Sequence, residues 1–267
     1  MEEAKLLEMI NRNPYSIKTI KNPTDEMKFM AIKKNGLALE YISNPTLAMQ
    51  ELAIDNNGRA IKFIKNPTEC MMKKAVMLGW TNLEFIEEPT EAVVKLAVEQ
   101  AGWAIKSVKN PREELQLLAV RKNYDAIKFI KSPSVFVQME AVKQGYDALR
   151  YIEEPSFEVQ LMAIRRNDAA IGFITDLDKK KILEFLKVNI LVVKHVWKQI
   201  TQEELECVLK LVLSSEDVEE KYVRDFINCN VIDRDSQTFP IDKVMFIYKH
   251  GSMKAKKITV DEKLKIG

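Results

Sequence analysis

Seven of the nine prolines in this 267-residue chain recur every 22 residues, and this period constrains the fold more than any other feature of the sequence. These prolines are Pro23, Pro45, Pro67, Pro89, Pro111, Pro133 and Pro155. A fixed period of about 20 to 50 residues is typical of repeat proteins, in which each unit packs against its neighbours in a stack. The sequence therefore predicts seven 22-residue repeats over residues 23–176.

Alignment of the repeats on proline shows which positions build the unit. Eight residues after proline every repeat has Ala, from Ala31 to Ala163, and the next residue is always Ile or Val. Nineteen residues after proline the repeat again has Ile or Val, preceded by Phe or Tyr except at Ser107. We expect the small alanine where two helices approach closely, and the larger apolar side chains in the core.

Residues at the turns predict where the helices begin and end. Asn or Ser precedes proline in five repeats and would serve as the N-cap, with proline at the first helical position. Glu88 and Glu154 depart from this rule. Glycines near the middle of the unit predict a left-handed helix end; they occur at Asn35-Gly36, Asn57-Gly58, Gly79, Gly102 and Gly145. Each repeat should form a helix, a tight turn and a shorter second helix, which predicts an all-α solenoid of short helical hairpins.

The regions outside the repeats follow different patterns. Residues 1–22 keep the repeat register without its alanine and are expected to form an N-terminal capping unit. Residues 177–200 have Leu177 in place of proline, which indicates a degenerate repeat. Residues 201–267 are expected to form a small helical C-terminal region with a basic tail. A capping box at Thr201 and a helix between Pro240 and Gly251 are predicted there, and the tail is expected to be partly disordered.

Charge and apolar runs exclude some classes of protein. The net charge of +2 argues against a chain built as a whole to coat nucleic acid or an anionic membrane. No apolar run approaches the ~20 residues that span a bilayer, and the first residues lack the apolar segment of a signal peptide. The three widely spaced cysteines predict free thiols. We therefore expect a cytoplasmic protein that does not contact membranes.

The C-terminal third alternates in charge. Residues 177–200 have six Lys against two acids, residues 201–247 have eleven acids against five bases, and residues 248–267 have six Lys against two acids. These segments could pair within one chain or between protomers, so the oligomeric state stays open.

The repeat itself resembles a known pattern. Its Asn-Pro-Thr-Glu, Ala-Val, Asn-Gly and Ala-Ile-Lys-Phe-Ile motifs resemble the short tandem repeat of many uncharacterised bacterial and bacteriophage proteins, and the unit is similar in style to HEAT-like repeats. The resemblance covers residues 1–176. It implies a partner-binding protein that modulates a host protein as an inhibitor or adaptor, inside a bacterial or phage-infected cell. It implies no catalytic residue.

Motifs for catalysis or metal binding are absent from the sequence. The two histidines, His195 and His250, have no metal-ligand spacing, and the cysteines form no C-x-x-C pair. Glycine-rich phosphate loops and GxSxG are also missing. The sequence therefore predicts no enzyme, no catalytic residue, no cofactor and no metal.

Variable positions at the turn between the two helices indicate a candidate binding site. Four consecutive repeats carry large aromatic residues there, and the next helix presents cations. The candidate residues are Trp80, Trp103, Tyr124, Tyr146, Lys106, Lys128 and Arg150. Such aromatics either shield the core or form a ridge that binds another protein.

Nucleic-acid binding is the alternative function. Bases could stack on the aromatics, and a basic stripe could contact phosphates. That stripe would comprise Lys106, Lys109, Arg121, Lys122, Lys128, Lys131, Arg165 and Arg166. Acids such as Glu84, Glu87 and Glu88 interrupt the same surface, which makes a protein partner the favoured hypothesis.

Overall fold

The computed structural model describes residues 2–264, and these form an all-α fold, which confirms the predicted fold class. The chain divides into two compact units, Met1–Val137 and Gln138–Gly267. The division falls within one helix, α7 (Val135–Gln144). Within each unit, short helical hairpins pack in succession as in a solenoid.

The first unit consists of alternating α-helices and 3₁₀ helices. The α-helices are α1 (Glu2–Arg12), α2 (Asp25–Lys34), α3 (Leu47–Asn56), α4 (Glu69–Leu78), α5 (Glu91–Gln100) and α6 (Glu113–Lys122). The 3₁₀ helices are η1 (Pro14–Thr19), η2 (Gly36–Tyr41), η3 (Gly58–Phe63), η4 (Trp80–Phe85), η5 (Gly102–Ser107) and η6 (Tyr124–Phe129). The shorter second helix of each repeat is therefore a six-residue 3₁₀ helix.

The second unit continues this alternation and then departs from it. Its repeat elements are η7 (Tyr146–Tyr151), α8 (Phe157–Arg166), η8 (Asp168–Phe173), α9 (Lys179–Val188), η9 (Ile190–Val192), α10 (Val193–Val196) and η10 (Trp197–Gln199). The helices that follow are α11 (Gln202–Leu213), α12 (Glu220–Asn228), α13 (Lys243–His250) and α14 (Met253–Leu264). Between α12 and α13, β1 (Ile232–Asp233) pairs in parallel with β2 (Phe239–Pro240).

The α-helices begin two residues later than the proline pattern predicts. Thr24 is the N-cap of α2, and its hydroxyl accepts a hydrogen bond from the backbone N–H of Met27. Equivalent caps are Thr46, Thr68, Thr90 and Ser156. The predicted Asn or Ser N-cap is wrong, because this residue and proline belong to the preceding turn. Asn44, Asn110 and Ser132 lie there in the left-handed region, with φ of 50°, 52° and 48°. Glu88 and Glu154 are thus turn residues rather than unusual caps.

Replacing Thr68 by Ala should therefore cost about 1 kcal/mol of stability, because the N3 backbone N–H loses its partner. Replacing Asn66 by Ala should change stability by no more than about 0.5 kcal/mol, since Asn66 is an exposed turn residue. Urea unfolding followed by circular dichroism measures both changes. A larger loss of stability in the Asn66 variant would indicate that Asn66, and not Thr68, is the N-cap of α4.

Gly36 and Gly102 are required for close packing and not for a left-handed turn. Among the described residues no glycine lies in the left-handed region, and Gly79 is extended with φ of 169°, so the predicted left-handed helix ends are wrong. Asn35 ends α2 in an extended conformation, with φ of −154°. A Cβ on Gly36 would lie 2.2 Å from the carbonyl oxygen of Ala53 in the next repeat. A Cβ on Gly102 would likewise lie 2.2 Å from the carbonyl oxygen of Ala119.

Two rows of helices form the core of the first unit. In the series α1 to α6, consecutive α-helices contact each other. In the series η1 to η6, consecutive 3₁₀ helices do the same. The constant alanines, such as Ala53 and Ala75, are fully buried between the rows together with the following Ile54 and Val76. The alanine therefore lies where the next repeat approaches most closely, as the sequence predicts.

In the second unit, the C-terminal helices pack on the last repeat elements of that unit. Helix α11 packs against α9, and α12 packs against η9. The Tyr222 hydroxyl donates a buried hydrogen bond to the carbonyl oxygen of Leu186, 2.9 Å away, and so joins α12 to α9. Phe185 occupies the position of the constant alanine and is fully buried.

The last residues of the described chain are ordered helix. The capping box at Thr201 is confirmed. The helix predicted to begin at Pro240 begins at Lys243 instead, because Pro240 pairs in β2 and Asp242 is the N-cap. The tail expected to be partly disordered is helical as far as Leu264, since α14 buries Ala255, Ile258 and Thr259 against its unit, and the last three residues of that prediction, 265–267, lie outside the described residues.

Candidate protein-binding surface

Trp80 is held at the start of η4, in the middle of the first unit. It occupies the repeat position of Gly36 and Gly102, and its indole is half-buried. Because tryptophan has a Cβ, the turn there cannot meet the next repeat with the geometry found at Gly36. The Lys106 ammonium lies 5.5 Å from the centre of the Trp80 ring, in cation–π distance. The structure thus brings together two of the residues that the sequence singles out.

Trp103 is the more exposed indole and connects two repeats. Its side chain is 38% exposed in η5, and its Nε1–H donates to Asp125 Oδ1 of the next repeat at 2.7 Å. Asp125 also accepts a hydrogen bond from Lys128 Nζ at 2.8 Å. The Lys128 ammonium lies 5.1 Å from the Phe129 ring centre. Trp103 and Lys128 are therefore fixed through a carboxylate that the sequence analysis did not include.

Two opposing effects set the pKa of the Asp125 carboxyl. Partial burial raises the pKa, but the hydrogen bonds from Lys128 and Trp103, with the positive charge of Lys128, outweigh burial and hold it below its ordinary value. Since the folded pKa is the lower one, this pairing stabilises the protein above the unfolded pKa of about 3.9. The stabilisation is lost as pH falls through the folded pKa.

Replacing Trp103 by Phe should raise the pKa of Asp125, because the ring remains while its N–H donor is lost. Carboxyl-detected NMR titration of the wild type and the variant measures this pKa directly. Replacing Trp197, an exposed tryptophan of the second unit, by Phe provides the control and should leave the pKa of Asp125 unchanged. A Trp103 variant with an unaltered pKa would contradict the hydrogen bond.

Tyr124 begins η6 in the first unit, at the same repeat position as Trp80, and is half-buried. No ring contact joins Trp80 to Trp103 within residues 2–264. The ridge predicted from the sequence therefore does not rest on direct ring stacking between these two tryptophans, and its role in binding stays a prediction. They occupy successive repeats, with Lys106, Asp125 and Lys128 beside them.

The remaining two candidates form a cluster of their own in the second unit. Tyr146 is half-buried, and its ring centre lies 6.4 Å from that of Phe173. The Arg150 guanidinium is 5.2 Å from the Phe173 ring and donates to Asp147 Oδ2 at 3.0 Å. It also lies 5.5 Å from the Tyr151 ring. Tyr146 and Arg150 thus share Phe173 as a common neighbour.

The structure adds two exposed apolar residues that the sequence analysis missed. Met77 and Leu78, at the end of α4, are 69% and 56% exposed. They immediately precede Gly79-Trp80. In the other repeats between residues 23 and 176 these two positions hold charged or amide side chains, for example Lys33 and Asn56. Comparison of these two columns would have revealed the exception from the sequence alone.

No protein-family model, curated protein or solved structure matches this chain. The resemblance to a bacterial and phage repeat family therefore stays a prediction.

The histidines and cysteines serve unrelated local contacts. His195 Nε2 lies 2.9 Å from Asp168 Oδ2 at the surface, whereas the His250 ring packs 5.0 Å from Phe246. Cys207 is exposed and Cys229 is buried. Within residues 2–264, no cluster of three or more His, Cys, Asp or Glu side chains could hold a metal ion.

None of the helices between residues 2 and 264 is both long and apolar enough to cross a bilayer.

Proposed function

We propose that the protein is a non-enzymatic binding scaffold that captures another protein through the central surface of its first unit. We define this central surface by Met77, Leu78, Trp80, Trp103 and Lys106. The observation that carries the proposal is the exposure of Met77 and Leu78 just before Trp80 in the chain, at positions that are polar in the other repeats. An exposed apolar group that interrupts a polar row is typical of interaction surfaces.

The chemistry of these side chains suits recognition of a protein. Tryptophan is among the residues that contribute most to interface energies, since it buries a large area and has few torsions to fix. Methionine is flexible and polarisable and adapts to the shape of a partner. Burial of apolar area is worth about 25 cal/mol per Å² before the costs of association. Lys106 covers the face of Trp80 and supplies a positive charge at the edge.

Two other candidate residues of the first unit would extend the contact. Tyr124 and Lys128 lie in η6, and Lys128 is paired with Asp125, so its charge is partly neutralised. We assign these two residues to the rim of the interface, where charges affect association rate and specificity more than affinity. Tyr146 and Arg150 form a separate candidate contact within the second unit, where Arg150 is paired with Asp147.

The cellular role that we propose follows from the repeat resemblance. It is modulation of a host protein, as inhibitor or adaptor, in the cytoplasm of a bacterium or of a phage-infected cell. The proposal requires no cofactor and no catalytic residue.

The test is capture of the partner from the native cell, identification by mass spectrometry, and calorimetry with the purified partner. A variant with Met77→Ser, Trp80→Ala and Trp103→Ala should lose at least about a hundredfold in affinity, as expected when several central residues are truncated. Its helical circular dichroism should match the wild type.

The control for this test is a variant with Leu47→Ser and Phe136→Ser. These residues are exposed apolar side chains of the same unit, 59% and 56% exposed, near the N-termini of their helices. The control should bind the partner as the wild type does. Equal binding by the triple variant would overturn the central surface as the site.

Nucleic-acid binding remains the alternative function. Of the basic stripe, Lys109 and Lys131 are exposed, whereas Lys128 is paired with Asp125 and Lys106 lies over Trp80. Phosphate contacts by Lys128 would have to compete with this ion pair. The alternative predicts retention on DNA or heparin that falls steeply with salt. If the protein is not retained on DNA or heparin at low salt, nucleic-acid binding is excluded.

A further inference from the structure

Helix α14 is apolar on two opposite faces, and only one of them is covered. Ala255, Ile258 and Thr259 are buried against the second unit, where α14 packs on α12 and α13. On the opposite side Met253, Val260 and Leu264 are 73%, 57% and 75% exposed. An apolar face of a helix is normally covered by another element. The outward face of α14 therefore lacks a cover in the isolated chain.

The exposed apolar residues form a continuous line along the helix. Met253, Val260 and Leu264 are separated by seven and four residues, so they lie on one face, and Lys257 lies between them. We call Met253, Lys257, Val260 and Leu264 the outer stripe. Apolar side chains spaced by seven and four residues are typical of a helix that packs along another helix.

Helix α13 widens this surface. Tyr248 is 71% exposed, and the Lys256 ammonium of α14 lies 5.9 Å from its ring centre. Met245, one turn earlier in α13, is 47% exposed. The two packed helices thus present apolar side chains next to each other, as expected for a surface that accommodates a third helix.

The charges around the outer stripe are almost all positive and lack acidic partners. Lys249, Lys254, Lys257 and Lys263 are exposed, and none of them forms an ion pair within residues 2–264. The exposed acid on α14 is Asp261. The other acid of this helix, Glu262, faces inward and pairs with Arg224.

Acidic residues elsewhere in this unit have other partners. Glu216 accepts hydrogen bonds from the backbone N–H groups of Met253 and Lys254, at 3.0 and 3.3 Å, and so caps α14. Glu206 pairs with Lys210 at 3.4 Å, and Asp233 pairs with Lys243 at 2.7 Å. The acids of residues 201–247 are therefore neutralised mainly by nearby bases, and the lysines around the outer stripe keep their charge.

We infer that the outer stripe is a second docking surface, which binds an acidic amphipathic helix of another protein. Apolar side chains of that helix cover Met253, Val260 and Leu264, and its flanking carboxylates face the lysines. A symmetric contact with a second copy of this chain would instead place lysine against lysine. An anionic bilayer is less suited, because membrane-surface helices typically carry Trp or Phe on the buried face, and the outer stripe has neither.

The probe is a fluorescein-labelled peptide of about three heptads, with Leu at the a and d positions and Glu at the e and g positions. A second peptide has Lys in place of every Glu. The full chain should bind the Glu peptide at least about tenfold more tightly than the Lys peptide, measured by fluorescence anisotropy at low salt. Equal binding of the two peptides, or binding of neither, overturns the proposal.

Two variants test the residues. Met253→Ser with Val260→Ser and Leu264→Ser should abolish binding of the Glu peptide. Lys254→Glu with Lys257→Glu and Lys263→Glu should weaken it at least about tenfold. The control, Lys180→Glu with Lys194→Glu and Lys198→Glu, makes the same change in net charge at exposed lysines of the same unit and should bind as the wild type does. A control that loses as much affinity shows a nonspecific charge effect and overturns the site.

Two further measurements test the other possible occupants of the outer stripe, a second copy of this chain and a membrane. Sedimentation equilibrium that shows a dimer lost in the Ser variant would assign the stripe to a second copy. Co-sedimentation with phosphatidylserine vesicles, without binding of the Glu peptide, would assign it to a membrane. Either result overturns the inference and leaves the central surface of the first unit untouched, because the two surfaces share no residue.

Discussion

Replacing Gly102 by Ala is expected to destabilise the first unit by about 3 kcal/mol, a large effect for one methyl group. The new Cβ would lie 2.2 Å from the carbonyl oxygen of Ala119, which is backbone and cannot turn aside. The turn would have to move away from the next repeat. That movement would strain the hydrogen bond from the Gly102 N–H to Asn123 Oδ1, which is 2.8 Å long. The midpoint of urea unfolding measures the change.

Two other glycines provide matched controls for this prediction. A Cβ on Gly79 would meet no atom closer than 3.7 Å, and one on Gly172 would meet nothing within 4 Å. Gly79→Ala should change stability by less than about 0.5 kcal/mol, and Gly172→Ala should stabilise by up to about 1 kcal/mol through the unfolded state. If the Gly102 variant were as stable as these two, close approach would not be the reason for its glycine.

Replacing Phe185 by Ala is expected to lower the free energy of unfolding of the second unit by about 3–5 kcal/mol. The substitution restores the residue that the seven regular repeats have at this position, so the sequence pattern alone predicts stabilisation. The structure predicts the opposite. Phe185 is fully buried, and its ring stacks on Phe157 with centres 5.8 Å apart and planes 27° apart. Truncation would leave a cavity between α9 and its neighbours.

Thermal and urea unfolding of three variants distinguish these explanations. Phe185→Leu keeps most of the volume and should cost about 1.5 kcal/mol or less. Phe157→Ala should cost about 1–2 kcal/mol, because Phe157 is 37% exposed and has less burial to lose. A Phe185→Ala protein as stable as the wild type would show that the repeat pattern extends unchanged into α9.

Much of the fold could be predicted because the repeat shows each physical requirement seven times. The alanine and the Ile or Val after it serve burial, and the described structure buries both throughout, as at Ala97 and Val98. The aromatic position, expected in the core, is only partly buried, and Tyr41 and Phe129 are 38% and 39% exposed. The turn could not be resolved in the same way. Asn and Thr are both good N-caps and lie two residues apart in the first three turns, as at Asn66 and Thr68, so the sequence allowed either. The structure selects Thr, as at Thr68.

The glycines show a second limit of sequence reasoning. Glycine is favoured both where φ is positive and where a Cβ has no room, and these reasons cannot be separated in a sequence. Gly36 meets the second condition, because Ala53 of the next repeat lies against it. Only the approach of the neighbouring repeat reveals this.

The candidate site was partly predictable for a related reason. Trp80 stands at a position that holds glycine in other repeats, so the sequence shows it as an exception. Met77 and Leu78 were visible in the same way. The role of Asp125 was not visible, because it depends on the distance from the Trp103 indole across 22 residues of chain. Side-chain pairing between repeats requires coordinates.

The packing of each repeat against the next in the first unit has a kinetic consequence. Its hydrogen bonds between repeats join residues close in sequence, such as Asn35 to Tyr15, 20 residues apart, and Gln100 to Val76, 24 residues apart. Only short loops must close during folding, so relative contact order is low, and low contact order favours fast folding. Because terminal repeats have a neighbour on one side only, they can fray while central repeats remain folded. The central surface lies in α4 to η5, where a neighbouring repeat packs on both sides. We therefore expect this part of the first unit to exchange its amide protons most slowly.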